Sequence, residues 1–246
     1  MKKIILIPSR LKSKRLPSKA LLEIDKIPIV IHTYKRACLA KIPDKVYICT
    51  DSKLIQKTCD RYSANCIITQ KKHKNGTERI FEAAKKLKLK NDDLIIDVQG
   101  DEPLINPLDI DRTINFYLKN NFQIVVPHIL MNKKNKINIV KLIVDHKNRI
   151  HWMTRSDVPN DYNKRFSLKK HLSIIIFSMK SLSLYNNLKP SEHEKIESIE
   201  LLRALENNIS IGSNKVNSDS FAVDVIEDYL NAIKKFKKDK IKKNYL

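Results

Sequence analysis

Glycine is nearly missing from this chain: three occur in 246 residues, at positions 76, 100 and 212. A Walker-type phosphate loop, which holds its ligand with the backbone amides of clustered glycines, is therefore excluded. Long apolar runs are missing as well. The opening MKKIILIPSR reaches an arginine after a very short apolar stretch, too short for a signal-peptide core, and no segment is long enough to span a bilayer. A cytoplasmic protein with no membrane partner is expected. The four cysteines, Cys38, Cys49, Cys59 and Cys66, form no C-x-x-C pair and no zinc-ligand spacing with histidine, which leaves reduced structural thiols. No linker, repeat or low-complexity segment divides residues 1–246, and that length suits a single α/β domain.

Aromatic residues make up 7% of the chain against a formal net charge of +21. The charge raises a nucleic-acid reading, yet the lysines are spread throughout. Their densest run, KKFKKDKIKKNYL from Lys234, has few rings on which bases could stack and reads as a solvated helix end. A diffuse positive field favours small anionic substrates instead. Arginine is scarce beside lysine, and Arg10, Arg15, Arg79, Arg155 and Arg203 all fall in the segments singled out below. Where lysine is the common cation, an arginine points to a need for bidentate geometry.

Short β-rich runs alternate with helical patterns through the first half. KIILIP, KVYICT, CIIT and LIIDVQ read as strands, with helices over about 28–40, 52–62 and 77–89. Near-continuously apolar strands separated by amphipathic helices predict a mostly parallel sheet covered on both faces, with ligands beyond the carboxyl ends of the strands. The second half is richer in strands (QIVVPHILM, IVKLIVD, RIHWMTR, HLSIIIFSM), followed by helices over about 192–206 and 225–238.

Five segments carry candidate chemistry. The loop after the first strand, IPSRLKSKRLPSKALLEI, sets Arg10, Arg15 and Lys19 in one turn stiffened by Pro8 and Pro17. Three converging cations suit a polyphosphate, although a solvated basic loop explains them equally well. In NGTERIFEAAKKL, Asn75 and Glu78 match a capping box; a helix start also attracts anions, which Thr77 and Arg79 could contact. LIIDVQGDEPLI ends an apolar strand in Gln99, Gly100, Asp101 and Glu102, so carboxylates able to hold a hard cation emerge where ligands bind. FAVDVIEDYL adds Asp224, which with Glu227 also fits a helix cap. In HEKIESIELLRAL, Glu194, Glu197, Glu200 and Arg203 recur every three residues; a solvated face with a Glu200–Arg203 pair is the default. The residues alone lead as far as a nucleotide-binding α/β enzyme.

In order along the chain, IPSRLKSKRLPSKALLEI, NGTER, VQGDEP, TRSDVP, HLSI, the E-x-x-E-x-x-E-x-x-R helix and the V-D-x-x-E-D pattern at 223–228 resemble the CMP-Kdo synthetase family (Kdo, 3-deoxy-manno-octulosonate). The resemblance runs from Ile4 to about Leu230. It implies an α/β, Rossmann-like nucleotidyltransferase fold: a mostly parallel central sheet flanked by helices, with a nucleotide-binding half over about 1–125. A sugar-binding half over about 126–246 would include a smaller β-rich portion that forms a homodimer. It also implies transfer of CMP from CTP to Kdo, with pyrophosphate released, for lipopolysaccharide synthesis. Arg10, Arg15 and Lys19 would hold the triphosphate, and Asp101 and Asp224 a catalytic magnesium ion. Gly76, Thr77 and Arg79 would lie near the cytidine, and Gln99, Arg155, His171 and Glu197 near the sugar. Asp97 and Glu102 receive no role. Rival readings are a cytidylyltransferase for a nonulosonic acid and a non-enzymatic basic protein that binds nucleic acid.

Two positions depart from the family pattern. Ile175 stands where the family usually has a tyrosine near the sugar, and Leu201 where it commonly has glutamine. An altered sugar pocket is expected from them.

Overall fold

The first apolar run forms β1 (Lys3–Ser9), whose side chains alternate between two clusters: Ile4 and Leu6 enter one, Ile5 and Ile7 the other. A strand buried on both faces needs cover on both, and that requirement organises the chain. The structure, a computed structural model, describes all residues except 14, 133–137, 160–161, 164–165 and 219. After β1 the chain makes a small separate ribbon, β2 (Glu23–Ile24) with β3 (Ile27–Pro28). β4 (Lys45–Thr50) and β6 (Leu94–Val98) then flank β1 in parallel, and β5 (Cys66–Ile68) extends the sheet beyond β4.

Later strands continue the same sheet in mixed directions: β7 (Ile124–Met131), β8 (Lys141–Val144), β9 (Ile150–Thr154), β10 (Leu168–His171), β11 (Ile174–Ser178) and β12 (Ile211–Lys215). Among the described residues it has ten strands in the order β5-β4-β1-β6-β11-β7-β10-β8-β9, with β12 beside β7. β11 runs antiparallel to β6, and β10, β8 and β9 continue antiparallel. The mixed sheet, parallel from β5 to β6 and flanked by helices, has the layout that the resemblance implies.

The helices are α1 (Ile29–Ala37), α2 (Lys53–Arg61), α3 (Gly76–Lys86), α4 (Pro107–Lys119), α5 (Met179–Asn186), α6 (Glu192–Glu197), α7 (Leu202–Glu206) and α8 (Ile226–Lys237). Ile80 and Ala83 of α3 and Leu182 of α5 cover one face of the sheet. Val30 of α1, Ile55 of α2 and Ile110 of α4 cover the other. A single helix over 192–206 is not what forms. Ser198 takes a left-handed backbone conformation (φ 53°) and ends α6, so the chain turns before α7 begins. The uniform three-residue spacing of the glutamates concealed this break, and Ile196 of α6 is 71% exposed.

A third, smaller cluster positions the site. Leu16 from the basic loop, Val223, and Ala232 and Phe236 of α8 pack with Ile24 and Ile29. Burying a side chain of this size contributes about 1.5–3 kcal/mol, enough to seat the basic loop against the segment before α8. Arg15 and Asp224 are the immediate neighbours of Leu16 and Val223 and are brought together by that packing. The C-terminal lysines 234, 235, 237, 238 and 240 are exposed, the solvated helix end that their composition suggests.

Candidate active site

Parallel pairing sets the ends of β1, β4 and β6 along one edge, with Ser9 beside Thr50. Beyond that edge lies a cleft of about 540 Å³. Gly100 is what allows its floor to close: a Cβ there would stand 2.9 Å from the Pro8 carbonyl oxygen and 3.3 Å from the Ser9 Cβ. Its role is close approach of the backbone, since none of the described glycines has a positive φ.

Of the sequence-predicted residues, Arg10, Arg15, Lys19, Gly76, Arg79, Gln99, Asp101 and Asp224 line this one cleft. Lys19, on a one-turn 3-10 helix (Lys19–Leu21), is its hub. Its Nζ donates to Asp224 Oδ1 at 2.8 Å and also to Asp101 Oδ2, and Arg15 reaches the same Asp224 oxygen at 2.9 Å. Burial works against the Lys19 charge, but Asp101 and Asp224 outweigh it and hold its pKa above the usual lysine value. At Asp224 burial pushes upward, while Lys19 and Arg15 pull harder and keep the carboxyl below its usual range. The two aspartates, 123 positions apart, meet because the Val223 amide donates to the Asp101 carbonyl at 2.9 Å.

Asp224 does not cap α8. Asp228 does so, its Oδ2 accepting from the amides of Asp224 (3.1 Å) and Val225 (3.2 Å), and the Asp224 carboxylate is thereby left to the cleft. At α3 the cap and the site coincide. The Asn75 side chain accepts from the Glu78 amide at 2.9 Å, and Asn75 itself lines the cleft. Arg79 is buried, with NH1 donating to Thr69 at 2.5 Å and NH2 3.4 Å from Asp51, so it braces the ends of β4 and β5 as it borders the cleft.

Thr77, Arg155, His171 and Glu197 do not line the cleft. Thr77 is buried and gives its hydroxyl to Glu200 Oε2 at 2.8 Å. Arg155 and Glu197 bind each other: the Arg155 amide donates to Glu197 Oε2 at 2.9 Å and its Nε to the Glu197 carbonyl at 2.7 Å, while Thr154 gives its hydroxyl to Oε1. His171 lies opposite His128 across β10 and β7, with Nε2 buried and without a hydrogen bond. Burial, with Lys170 beside it, lowers its pKa to about 4 and keeps the ring neutral. Leu201 is buried in the core and Ile175 packs against the same cluster, so neither departure from the family pattern lines the cleft.

Sequence reasoning missed Glu200, which it left on a solvated face. Glu200 lines the cleft, and burial raises its pKa against the opposing Thr77 hydrogen bond. Nor does it pair with Arg203, whose guanidinium instead clasps Glu194. Asn75 and His73 complete the wall at the start of α3. Glu102, one residue past Asp101, is 1% exposed; burial raises it to about 7.

A cleft at the carboxyl ends of parallel strands, with three cations and two carboxylates on one side, is built for a polyphosphate. Residues 4–211 match the family model described as cytidylyltransferase. The 3-deoxy-manno-octulosonate cytidylyltransferase of Chloroherpeton thalassium is 35% identical over 240 residues, covering 93% of this chain and 95% of that one. The 8-amino-3,8-dideoxy-manno-octulosonate cytidylyltransferase of Shewanella sp. (strain W3-18-1) is 35% identical over 234 residues, covering 93% and 96%. Among solved structures, a CMP:2-keto-3-deoxy-manno-octonic acid synthetase complexed with CTP superposes with a TM-score of 0.91 at 26% identity, covering 97% of this chain and 99% of that one. The chain belongs to the cytidylyltransferase family and, within it, to the 3-deoxy-manno-octulosonate cytidylyltransferases.

Proposed function

We propose that this enzyme transfers CMP from CTP to the anomeric hydroxyl of 3-deoxy-manno-octulosonate or a close 3-deoxy relative, releasing pyrophosphate, and so supplies an activated sugar for lipopolysaccharide synthesis. The observation that carries the reading is the convergence of Arg10, Arg15 and Lys19 with Asp101 and Asp224 in one cleft. The CTP complex of the structural relative and the names of the sequence relatives support it. An anomeric oxygen lone pair attacks the α-phosphorus; the bond from that phosphorus to the bridging α,β-oxygen breaks, pyrophosphate leaves, and the hydroxyl proton passes to solvent. Arg10, Arg15 and Lys19 are placed to hold the triphosphate and to stabilise the charge gathering on the leaving group.

The residues fit a magnesium ion. Asp101 and Asp224 already share one cation, the Lys19 ammonium, and magnesium favours a few carboxylates completed by phosphate oxygens and waters. Bound there, magnesium would polarise the α-phosphoryl group and help the attacking hydroxyl ionise. Among the described residues no cluster of three or more His, Cys, Asp or Glu offers a rival metal site. We further read the chain as a single catalytic unit of the cytoplasm that pairs as a homodimer through its β-rich second half. Strands from both halves share one sheet, which supports the single unit. No helix of the described residues is long and apolar enough to cross a membrane.

The test is pyrophosphate release with CTP and a panel of acceptors: 3-deoxy-manno-octulosonate, its 8-amino-8-deoxy analogue and neuraminic acid. Release with either octulosonate supports the proposal, and release with neuraminic acid alone overturns it. A second measurement bears on the basic loop. Arg15→Lys keeps the charge but loses the planar fork that can span Asp224 and a phosphate oxygen together. A fall in kcat/KM for CTP of roughly tenfold, worth about 1.4 kcal/mol, is expected. Unchanged CTP kinetics would show that Arg15 is only solvated.

A further inference from the structure

The loop between β5 and α3 has little backbone support. Thr69 gives its amide to the Thr50 carbonyl at 2.8 Å, but no backbone-to-backbone bond among the described residues ties 70–74 to a neighbouring strand. What holds them is α3. Its Glu78 and Glu82 stand one turn apart, a like-charged spacing that costs a helix stability unless other groups offset it. The loop offsets both. Glu82 Oε2 accepts from the Gln70 amide at 3.0 Å and lies 2.5 Å from His73 Nε2. Lys86 stands 2.9 Å from Glu82 Oε1 and donates to the Ile68 carbonyl at 2.6 Å. Glu78, which in a capping box would take the Asn75 amide, takes the Lys74 amide instead at 2.9 Å. Burial works against the Glu82 charge, but Lys86, the Gln70 amide and His73 outweigh it and lower its pKa to about 2. A carboxylate only accepts hydrogen bonds, so His73 presents its Nε2 hydrogen to Glu82 and the ring is held in one orientation.

His73, Lys74, Asn75 and Gly76, where this loop passes into α3, line the cleft. They belong to the parallel part of the sheet. Thr69 and Arg79 join them to the ends of β4 and β5, and a Cβ on Gly76 would stand 3.1 Å from Pro8 Cγ near the end of β1. Nucleotides bind beyond the carboxyl ends of such strands. With the triphosphate assigned to Arg10, Arg15 and Lys19, the nucleoside is left to this wall. Glu200, across from it in chain order, is brought in by the later half of the molecule. We infer that Glu82 is a positioning residue for CTP: it fixes His73 and the loop over 70–74 as a wall for the nucleoside, and sets nucleotide affinity without entering the chemistry or the sugar site. The inference rests on the proposed CTP-dependent activity and assigns one wall of its cleft to one part of the substrate.

The experiment measures the binding of CTP and of inorganic tripolyphosphate by titration calorimetry with magnesium present, beside steady-state kinetics, for the wild type, Glu82→Ala, Glu82→Gln and His73→Leu. Glu82→Ala is expected to raise the Kd and KM for CTP roughly tenfold, the ratio that about 1.4 kcal/mol provides. Tripolyphosphate affinity, kcat at saturating CTP and the KM for the sugar should stay within about twofold of the wild type, or about 0.4 kcal/mol. Glu82→Gln can keep one oxygen for the Gln70 amide and His73 and gives up only the Lys86 pair, so it should recover most of the CTP affinity. His73→Leu removes the ring from the wall and should show the same selective loss, which keeps the idea falsifiable if the alanine variant unfolds. A folded Glu82→Ala or His73→Leu protein with wild-type CTP affinity overturns the inference. Equal weakening of CTP and tripolyphosphate also overturns it, since Glu82 would then be merely structural. A raised KM for the sugar with CTP unchanged does the same by putting the wall against the sugar. A glutamine variant as weak as the alanine one would trace the effect to the Lys86 pair and remove the role given to the loop. Failure of the wild type to release pyrophosphate with either octulosonate overturns the proposed activity itself, a result distinct from all of these.

Discussion

Asp101→Asn and Asp224→Asn should each lower kcat by about 10²–10³-fold, the range seen when one preorganised electrostatic contact to a transition state is removed. Both proteins should stay folded. Neither carboxylate closes a helix: Asp228 caps α8, and Asp101 is tied to the neighbouring segment through its backbone carbonyl. Each variant also leaves Lys19 one of its two carboxylate partners. Melting temperatures should accordingly move by no more than about 2–4 °C, the equivalent of about 1 kcal/mol in a chain of this size. The measurement is initial-rate pyrophosphate release across a magnesium titration, beside thermal unfolding of the same preparations. If the aspartates hold the ion, the variants need more magnesium to reach half-maximal rate as well as running slower. Near-normal rates with an unchanged magnesium requirement would remove the metal assignment and leave the aspartates as partners of Lys19 and Arg15. Loss of structure would instead show that the packing of Leu16 and Val223 depends on the charges beside them.

Which of these features the sequence disclosed depended on how local their physics is. β1 and β6 were legible because an apolar run buried on both faces needs no partner to be recognised. Their ends then placed Arg10, Gln99 and Asp101 at the ligand edge without further information. The Asp224 segment was legible only as two competing roles. Asp224 with Glu227 satisfies a capping pattern as well as a site, and the competition is decided by Asp228, one position along, whose carboxylate reaches both amides. The segment 192–206 was misleading for a related reason. A three-residue recurrence of glutamates describes one continuous helix, whereas the left-handed Ser198 splits it and turns Glu200 into the cleft. Nothing in the spacing marks that residue, because serine has no special liking for the left-handed region; a glycine there would have been a signal. Short α5 and edge strand β12 escaped notice because each depends on tertiary pairing more than on periodicity. Arg155 and Glu197 were placed at the sugar by resemblance, and the structure has them bonded to each other.

Arg203→Leu is expected to destabilise the fold by about 3–5 kcal/mol, the cost of breaking a buried ion pair and leaving one charge without its partner. The pair is bidentate and enclosed. Arg203 Nε donates to Glu194 Oε2 at 2.8 Å and NH2 to Oε1 at 2.5 Å, with side-chain exposures of 5% and 11%. NH1 adds a bond to the Leu188 carbonyl at 3.3 Å, and the guanidinium stacks 5.1 Å from the centre of the Tyr185 ring. The Glu194 hydrogen bond, the largest influence on Arg203, raises its pKa further, so the charge persists at every accessible pH. These contacts clamp α6 to α7 and α5 across the break at Ser198. Glu200 lies within the clamped turn, and the Tyr185 hydroxyl donates to its carbonyl at 3.0 Å. Arg203 is therefore a positioning residue for the cleft as well as a stability determinant, and Arg203→Lys separates the two. Lysine retains the charge and loses the fork, so part of the stability should survive while Glu200 is held less firmly. Urea unfolding measures the first effect. The second should appear as a higher KM for the substrate that Glu200 faces in the cleft, with kcat changed far less. A lysine variant that recovers full stability with wild-type kinetics for both substrates would show that charge alone matters at this position and that the clamp does not orient Glu200.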